Sequence, residues 1–186
     1  MSWGKNSPPK VNATNPVLLG FNEPDRSDQA NMTVDEAIAL WPQLVQKSNR
    51  LGSPAVAEKA DKVGGWLETF MSYKPKVDFI AIHWYAPPNS KSFLSHIDAV
   101  YAKYNLPIWV TEFAVADWAG KYPGGYDVEL VKTFMKEACA GLDKRSFVEN
   151  YTWKSRPTSD PKLGTSGLWN DDGSLTDLGK IYANYI

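Results

Sequence analysis

The sequence predicts an α/β fold, a TIM-like β/α barrel, and three observations lead there. Apolar, β-forming runs recur along the 186 residues, and amphipathic helical patterns fall between them. The runs are apolar almost throughout instead of alternating, as in parallel strands covered on both faces. Polar side chains cluster at the C-terminal ends of several different runs, where barrel enzymes carry their chemistry.

The predicted strands, in order, are "PVLLGFNEP" (16–24), "RLGSPAV" (50–56), "VDFIAIHWY" (77–85), "LPIWVTEF" (106–113) and "VENYTWK" (148–154). Among the helices between them, "TVDEAIALWPQLVQKSNR" opens with a Thr33 and Glu36 capping box, and "DVELVKTFMKEACAGL" is expected to end at Gly141. A strand remnant at "MSWG" and a short strand near Leu168 complete the set. The polar strand ends are Asn22 and Glu23, His83 and Tyr85, Thr111 and Glu112, and Trp153. No glycine-rich dinucleotide or phosphate loop follows any strand, which argues against an open nucleotide-binding sheet. The stretches "APPNSKS", "ADWAGKYPGGYD" and "SRPTSDPKLGTSG" each follow a strand end and would form the rim of a cleft, and "GKNSPPKVNATN" is a loose N-terminal segment.

Length and composition fit a single domain over residues 1–186 with a sizeable core, since 43% of the residues are hydrophobic. A net charge of -1 gives no sign of a nucleic-acid or membrane partner. The only cysteine, Cys139, allows no intrachain disulfide and no Cys-cluster metal site, and reads as a buried helix residue; no metal or other cofactor is expected. The start has no apolar signal-peptide core and no run is long enough to span a membrane. Asn12, Asn31 and Asn150 lie in Asn-x-Ser/Thr sites, a pattern common by chance at this length. Eight Trp and nine Tyr supply flat apolar rings of the kind sugar clefts use, and equally the kind that fills cores.

Glu23 and Glu112 carry the functional reading. Hydrolysis of a glycosidic bond needs one carboxylic acid to protonate the leaving oxygen and one carboxylate across the sugar, about 5 Å away when configuration is retained. Two strand ends in one barrel mouth could supply that pair. Either glutamate taken alone is as well explained as a solvated strand-end carboxylate, and burying one unpaired would be costly.

The segments "LLGFNEPD", "LGSPAVA", "VDFIAIHWYA", "PIWVTEFAVADW", "ENYTWKS" and "LWNDDGSLTDLGKIY" together resemble glycoside hydrolase family 128, a family of endo-β-1,3-glucanases within the clan of retaining β/α-barrel glycosidases. The likeness runs over nearly the whole chain, and its order of motifs is far more specific than Asn-Glu-Pro alone. It implies that Glu23 is the general acid/base, that Glu112 is the nucleophile, and that Asn22 bonds the 2-hydroxyl of the sugar at the cleavage site. It places His83 and Tyr85 in the mouth, with Tyr85 orienting Glu112; residues two apart on a strand share a face. His83 also reads as a packed, hydrogen-bonded histidine. In the family reading Trp153 and Trp169, one or both, form a floor under a glucose ring, although either could belong to the core. Trp118 is a candidate for a more distant subsite, and Trp3 could still reach the sugar.

A full barrel of this type takes about 250 residues, so the resemblance implies that the first two or so βα units are lacking. The implied partner is a β-1,3-glucan oligosaccharide or polysaccharide, met by a secreted or cell-wall protein. Two alternatives stay open: a retaining hydrolase of another β-glycan in the same clan, and a β-glucan-binding protein without turnover.

Overall fold

The computed structural model describes Met1, Gly4, residues 16–122 and residues 124–185. Trp3 and most of the N-terminal segment lie outside the described residues. The chain divides into two compact units: Met1–His83 with His96–Thr111, and Trp84–Ser95 with Glu112–Ile186.

The described elements are β1 (Val17–Leu18), α1 (Val34–Val45), β2 (Arg50–Leu51), α2 (Trp66–Ser72), β3 (Ile80–Ala86), α3 (Ser90–Tyr104), β4 (Ile108–Val115), α4 (Val128–Asp143), β5 (Val148–Trp153) and α5 (Asp177–Tyr182). β1 and β2 pair in parallel, with Val17 opposite Arg50 and Leu18 opposite Leu51. Parallel bridges join Asn22 to Ala55 and Gly52 to Phe79, and a three-stranded sheet follows in the order β3-β4-β5. Strand order thus follows chain order. Parallel strands need crossover connections, and the helices between them supply these. Five strands are described and they form no closed barrel.

In the first unit, α1 starts as the sequence demands: Thr33 accepts the Glu36 N–H, and the Glu36 carboxylate accepts the Thr33 N–H. Its apolar face brings Trp41 against Phe21 and Phe70, with ring centres 5.8 and 4.9 Å apart, and Trp66 stacks on Phe70. Both indole N–H groups are satisfied by carbonyls, Trp41 by Lys76 and Trp66 by Met32.

The first two predicted strands are shorter than their apolar runs, for identifiable reasons. Gly20 sits directly on the Ser53–Pro54 backbone, where a Cβ would come within 2.7 Å of the Pro54 nitrogen, and Pro54 has no N–H to give a ladder. What remains is β1, β2 and isolated bridges. β4 begins at Ile108 because Pro107 likewise lacks an N–H, although its carbonyl still accepts from Ile80.

In the second unit, α4 buries Val131, Phe134, Met135, Ala138, Cys139 and Leu142 along one face. Phe134 meets Phe93 and Trp153, and Phe93 stacks on Phe113 at 5.3 Å. Burial pushes the Cys139 thiol up to about 12, so this side chain is an inert packing residue. α4 does not end at Gly141 but runs on to Asp143. Gly141 serves packing instead: a Cβ there would meet the Leu94 side chain at 2.4 Å. The loop expected over "APPNSKS" is also shorter, because Asn89 accepts the Ser92 N–H and α3 starts at Ser90. β5 is largely exposed along its length, unlike the apolar strands before it.

Candidate active site

The first unit holds Asn22, Glu23 and His83. The apolar run to Phe21 ends in the Asn22–Ala55 bridge, and the Glu23 N–H bonds the Ala55 carbonyl at 2.7 Å. Glu23 then adopts φ 42°, the left-handed region that a non-glycine residue enters only at a cost. The turn is held from both sides. Arg26 donates its N–H to the Glu23 carbonyl at 3.0 Å, and the Asp25 carboxylate accepts the N–H groups of Ala57 and Glu58, both at 2.9 Å. The Glu23 carboxylate is 13% exposed, with Oε1 3.0 Å from His83 Nδ1 and Oε2 3.9 Å from Arg26 Nε. Buried Asn22 donates from Nδ2 to Gln29 Oε1 at 2.9 Å, while its Oδ1 is buried with no hydrogen-bond partner among the described residues. A buried acceptor of that kind is suited to a ligand hydroxyl.

The second unit holds Tyr85, Glu112, Lys154, Trp118 and Trp169. Glu112 leaves β4 with its carboxylate 21% exposed and both oxygens engaged. The Tyr85 hydroxyl donates to Oε2, and Lys154 Nζ lies 3.1 Å from Oε1. Two donors, one of them cationic, stabilise the negative charge and fix the carboxylate plane. The Tyr85 carbonyl accepts the Trp118 indole N–H at 3.2 Å, and the two rings meet edge to face. Trp118 is 58% exposed and Trp169 54%, so each presents ring surface to solvent.

Trp118 rides on a loop organised by Asp117. The backbone N–H groups of Tyr122, above all, and of Lys121 and Gly120 hold the Asp117 carboxyl below the usual carboxylate range, against the opposing effect of burial, and the Lys162 charge assists.

Trp153 corrects an expectation. It is 3% exposed, packs edge to face on Phe113 at 5.0 Å, and gives its indole N–H to the Ser166 carbonyl at 2.8 Å. It is a core residue and offers no open face as a sugar floor; its neighbour Lys154 is the residue that reaches a carboxylate. Lys154, Asp25 and Gln29 were not singled out from the sequence. Alternation along a strand says only that Trp153 and Lys154 face opposite sides, and the packing of Trp153 decides which side is the core.

Residues 1–182 match the family described as glycosyl hydrolase catalytic core. A crystal structure of a family 128, subgroup I, endo-β-1,3-glucanase from Amycolatopsis mediterranei, in a mutant form bound to laminaripentaose, is 40% identical with a TM-score of 0.80; the match covers 89% of this chain and 70% of that one. The chain belongs to glycoside hydrolase family 128. Within the family it is also similar to a subgroup VII oligosaccharide-binding protein from Trichoderma gamsii, at 28% identity and TM-score 0.78, over 94% of this chain and 69% of that one. Alkali-sensitive linkage protein 1 of Schizosaccharomyces pombe is 36% identical over 179 residues, or 89% of this family 128 chain. The chain spans only 32% of that relative's length.

Proposed function

We propose that this chain is a retaining endo-β-1,3-glucan hydrolase in which Glu23 is the general acid/base and Glu112 the nucleophile. The observation that supports it most is the contrast between the two carboxylates. Glu112 is bonded by a hydroxyl and an ammonium, which fix the plane of a carboxylate that would attack an anomeric carbon and later leave it. Glu23 is matched with an imidazole nitrogen that can donate or accept, a partner suited to a group that must carry a proton at one step and lack it at another. In the first step the Glu112 oxygen bonds the anomeric carbon while the bond to the leaving oxygen breaks and Glu23 supplies its proton. In the second, water attacks that carbon, Glu23 takes the water's proton, and the electron pair returns to Glu112.

Asn22, whose buried acceptor has no partner among the described residues, and the exposed rings of Trp118 and Trp169 suit a glucan as ligand. Strands that are parallel and ordered as in the chain support reading the fold as part of a β/α barrel. A place outside the cell or at its wall, where such a glucan is met, belongs to the same reading. The oligosaccharide-binding relative favours a second reading, glucan binding without turnover.

Laminarin digestion decides between them. New reducing ends of unchanged anomeric configuration, lost by several orders of magnitude in Glu112→Gln with binding retained, are expected for the hydrolase. Binding without new reducing ends in the unaltered protein would leave the non-catalytic reading.

A further inference from the structure

Lys154 exchanges no proton and forms no covalent bond in the two-carboxylate scheme, yet its backbone is held on both sides. Its backbone N–H bonds the Phe113 carbonyl at 2.9 Å, which ties it to the strand that carries Glu112. On one side of it, the Trp153 N–H is capped by the Tyr182 hydroxyl at 3.0 Å and the indole is locked on Ser166; on the other, Ser155 Oγ accepts the Leu168 N–H at 2.9 Å. With its own backbone and both neighbours pinned, the stem of Lys154 starts from a fixed point, and its ammonium lies 3.1 Å from Glu112 Oε1.

From this geometry we infer that Lys154 is a positioning residue that tunes Glu112 as a leaving group. The inference rests on the retaining hydrolase reading. An ammonium beside a carboxylate stabilises the free anion, and it does little for the neutral ester that replaces the anion in the glycosyl-enzyme. Lys154 therefore favours the second step, in which the ester C–O bond breaks and its electron pair returns to Glu112. It holds back the first step to a similar degree. Tyr85, whose hydroxyl bonds the other oxygen, fixes the carboxylate plane without adding charge.

The test uses the full chain and a fluorinated dinitrophenyl laminaribioside, which carries a good leaving group and forms a slowly hydrolysed ester. Mass spectrometry counts the adduct, and recovery of laminarin hydrolysis after removal of free reagent gives the rate of ester breakdown. Lys154→Met keeps the stem and removes the charge; Lys154→Arg keeps the charge. The expected result is ester breakdown about tenfold slower in Lys154→Met, the size suited to one partly solvated charge contact, with Lys154→Arg close to the unaltered protein and all three melting together. Equal breakdown rates in the unaltered protein and Lys154→Met would overturn the role of Lys154 and leave the hydrolase standing. An unaltered protein that forms no adduct and releases no sugar from laminarin would overturn the hydrolase reading, and this one with it.

Discussion

His83 Nδ1 lies 3.0 Å from Glu23 Oε1, and the imidazole is almost wholly buried while the carboxylate is not. The contact couples the proton on the candidate acid to a ring that the core holds still. His83→Ala is expected to lower laminarin turnover roughly tenfold or more. The loss should shrink on an aryl laminaribioside, whose leaving group needs little protonation. Comparing kcat/KM on the two substrates checks it, and an equal loss on both would detach His83 from the acid step.

Tyr85 and Glu112 make the corresponding contact in the second unit. Tyr85→Phe removes one donor from the carboxylate and keeps the ring and its edge contact with Trp118. A hydrogen bond to a charged group of this kind corresponds to about a ten- to hundredfold loss of kcat/KM. Glucan affinity should change little, since the hydroxyl serves the nucleophile. Steady-state kinetics beside titration calorimetry with laminarihexaose would separate the two effects.

Local signals in the sequence were legible wherever one short segment decides its own structure. Thr33 and Glu36 cap α1 as read, and Cys139 lies in the buried face of α4. The strands that carry His83, Tyr85 and Glu112 were also legible, because long apolar runs ending in polar residues leave few alternatives, whereas the run before Asn22 and Glu23 yields only β1 and an isolated bridge. What depended on a distant partner was not. Gly141 reads as a helix end, and only the Leu94 side chain against it explains a glycine inside α4. Trp153 and Lys154 are adjacent, and nothing local says which one faces the core; Phe113, Phe134 and Ser166 decide that, and they come from three other segments.

Gly20 marks a closer approach than the sequence alone conveys. A Cβ there would fall within 2.8 Å of the Ser53 carbonyl carbon and oxygen, which are backbone atoms that cannot rotate away. Gly20→Ala must push apart the two segments whose Asn22–Ala55 bridge sets the Glu23 turn. Denaturant unfolding should show a loss of about 1–3 kcal/mol, and turnover should fall further than the folded fraction accounts for. An alanine variant as stable and active as the unaltered protein would show that this approach is not needed.

His96 makes stability depend on pH. The side chain is buried on α3 with Nδ1 2.9 Å from Asp61 Oδ1. Burial is the main cause that lowers its pKa; Asp61 opposes this and Lys59 adds to it. The unfolded chain, with an imidazole near about 6.5, therefore binds more protons than the folded one as the pH drops below that value. Stability must then fall with pH from about 6.5 downward, until the folded imidazole is protonated as well. His96→Gln keeps a polar side chain beside Asp61 and cannot titrate. Urea unfolding of both proteins at a series of pH values between neutrality and about 5 should show a steeper decline in the unaltered protein. Parallel declines would mean that His96 carries no differential protonation, and the slope would have to be sought among the carboxylates.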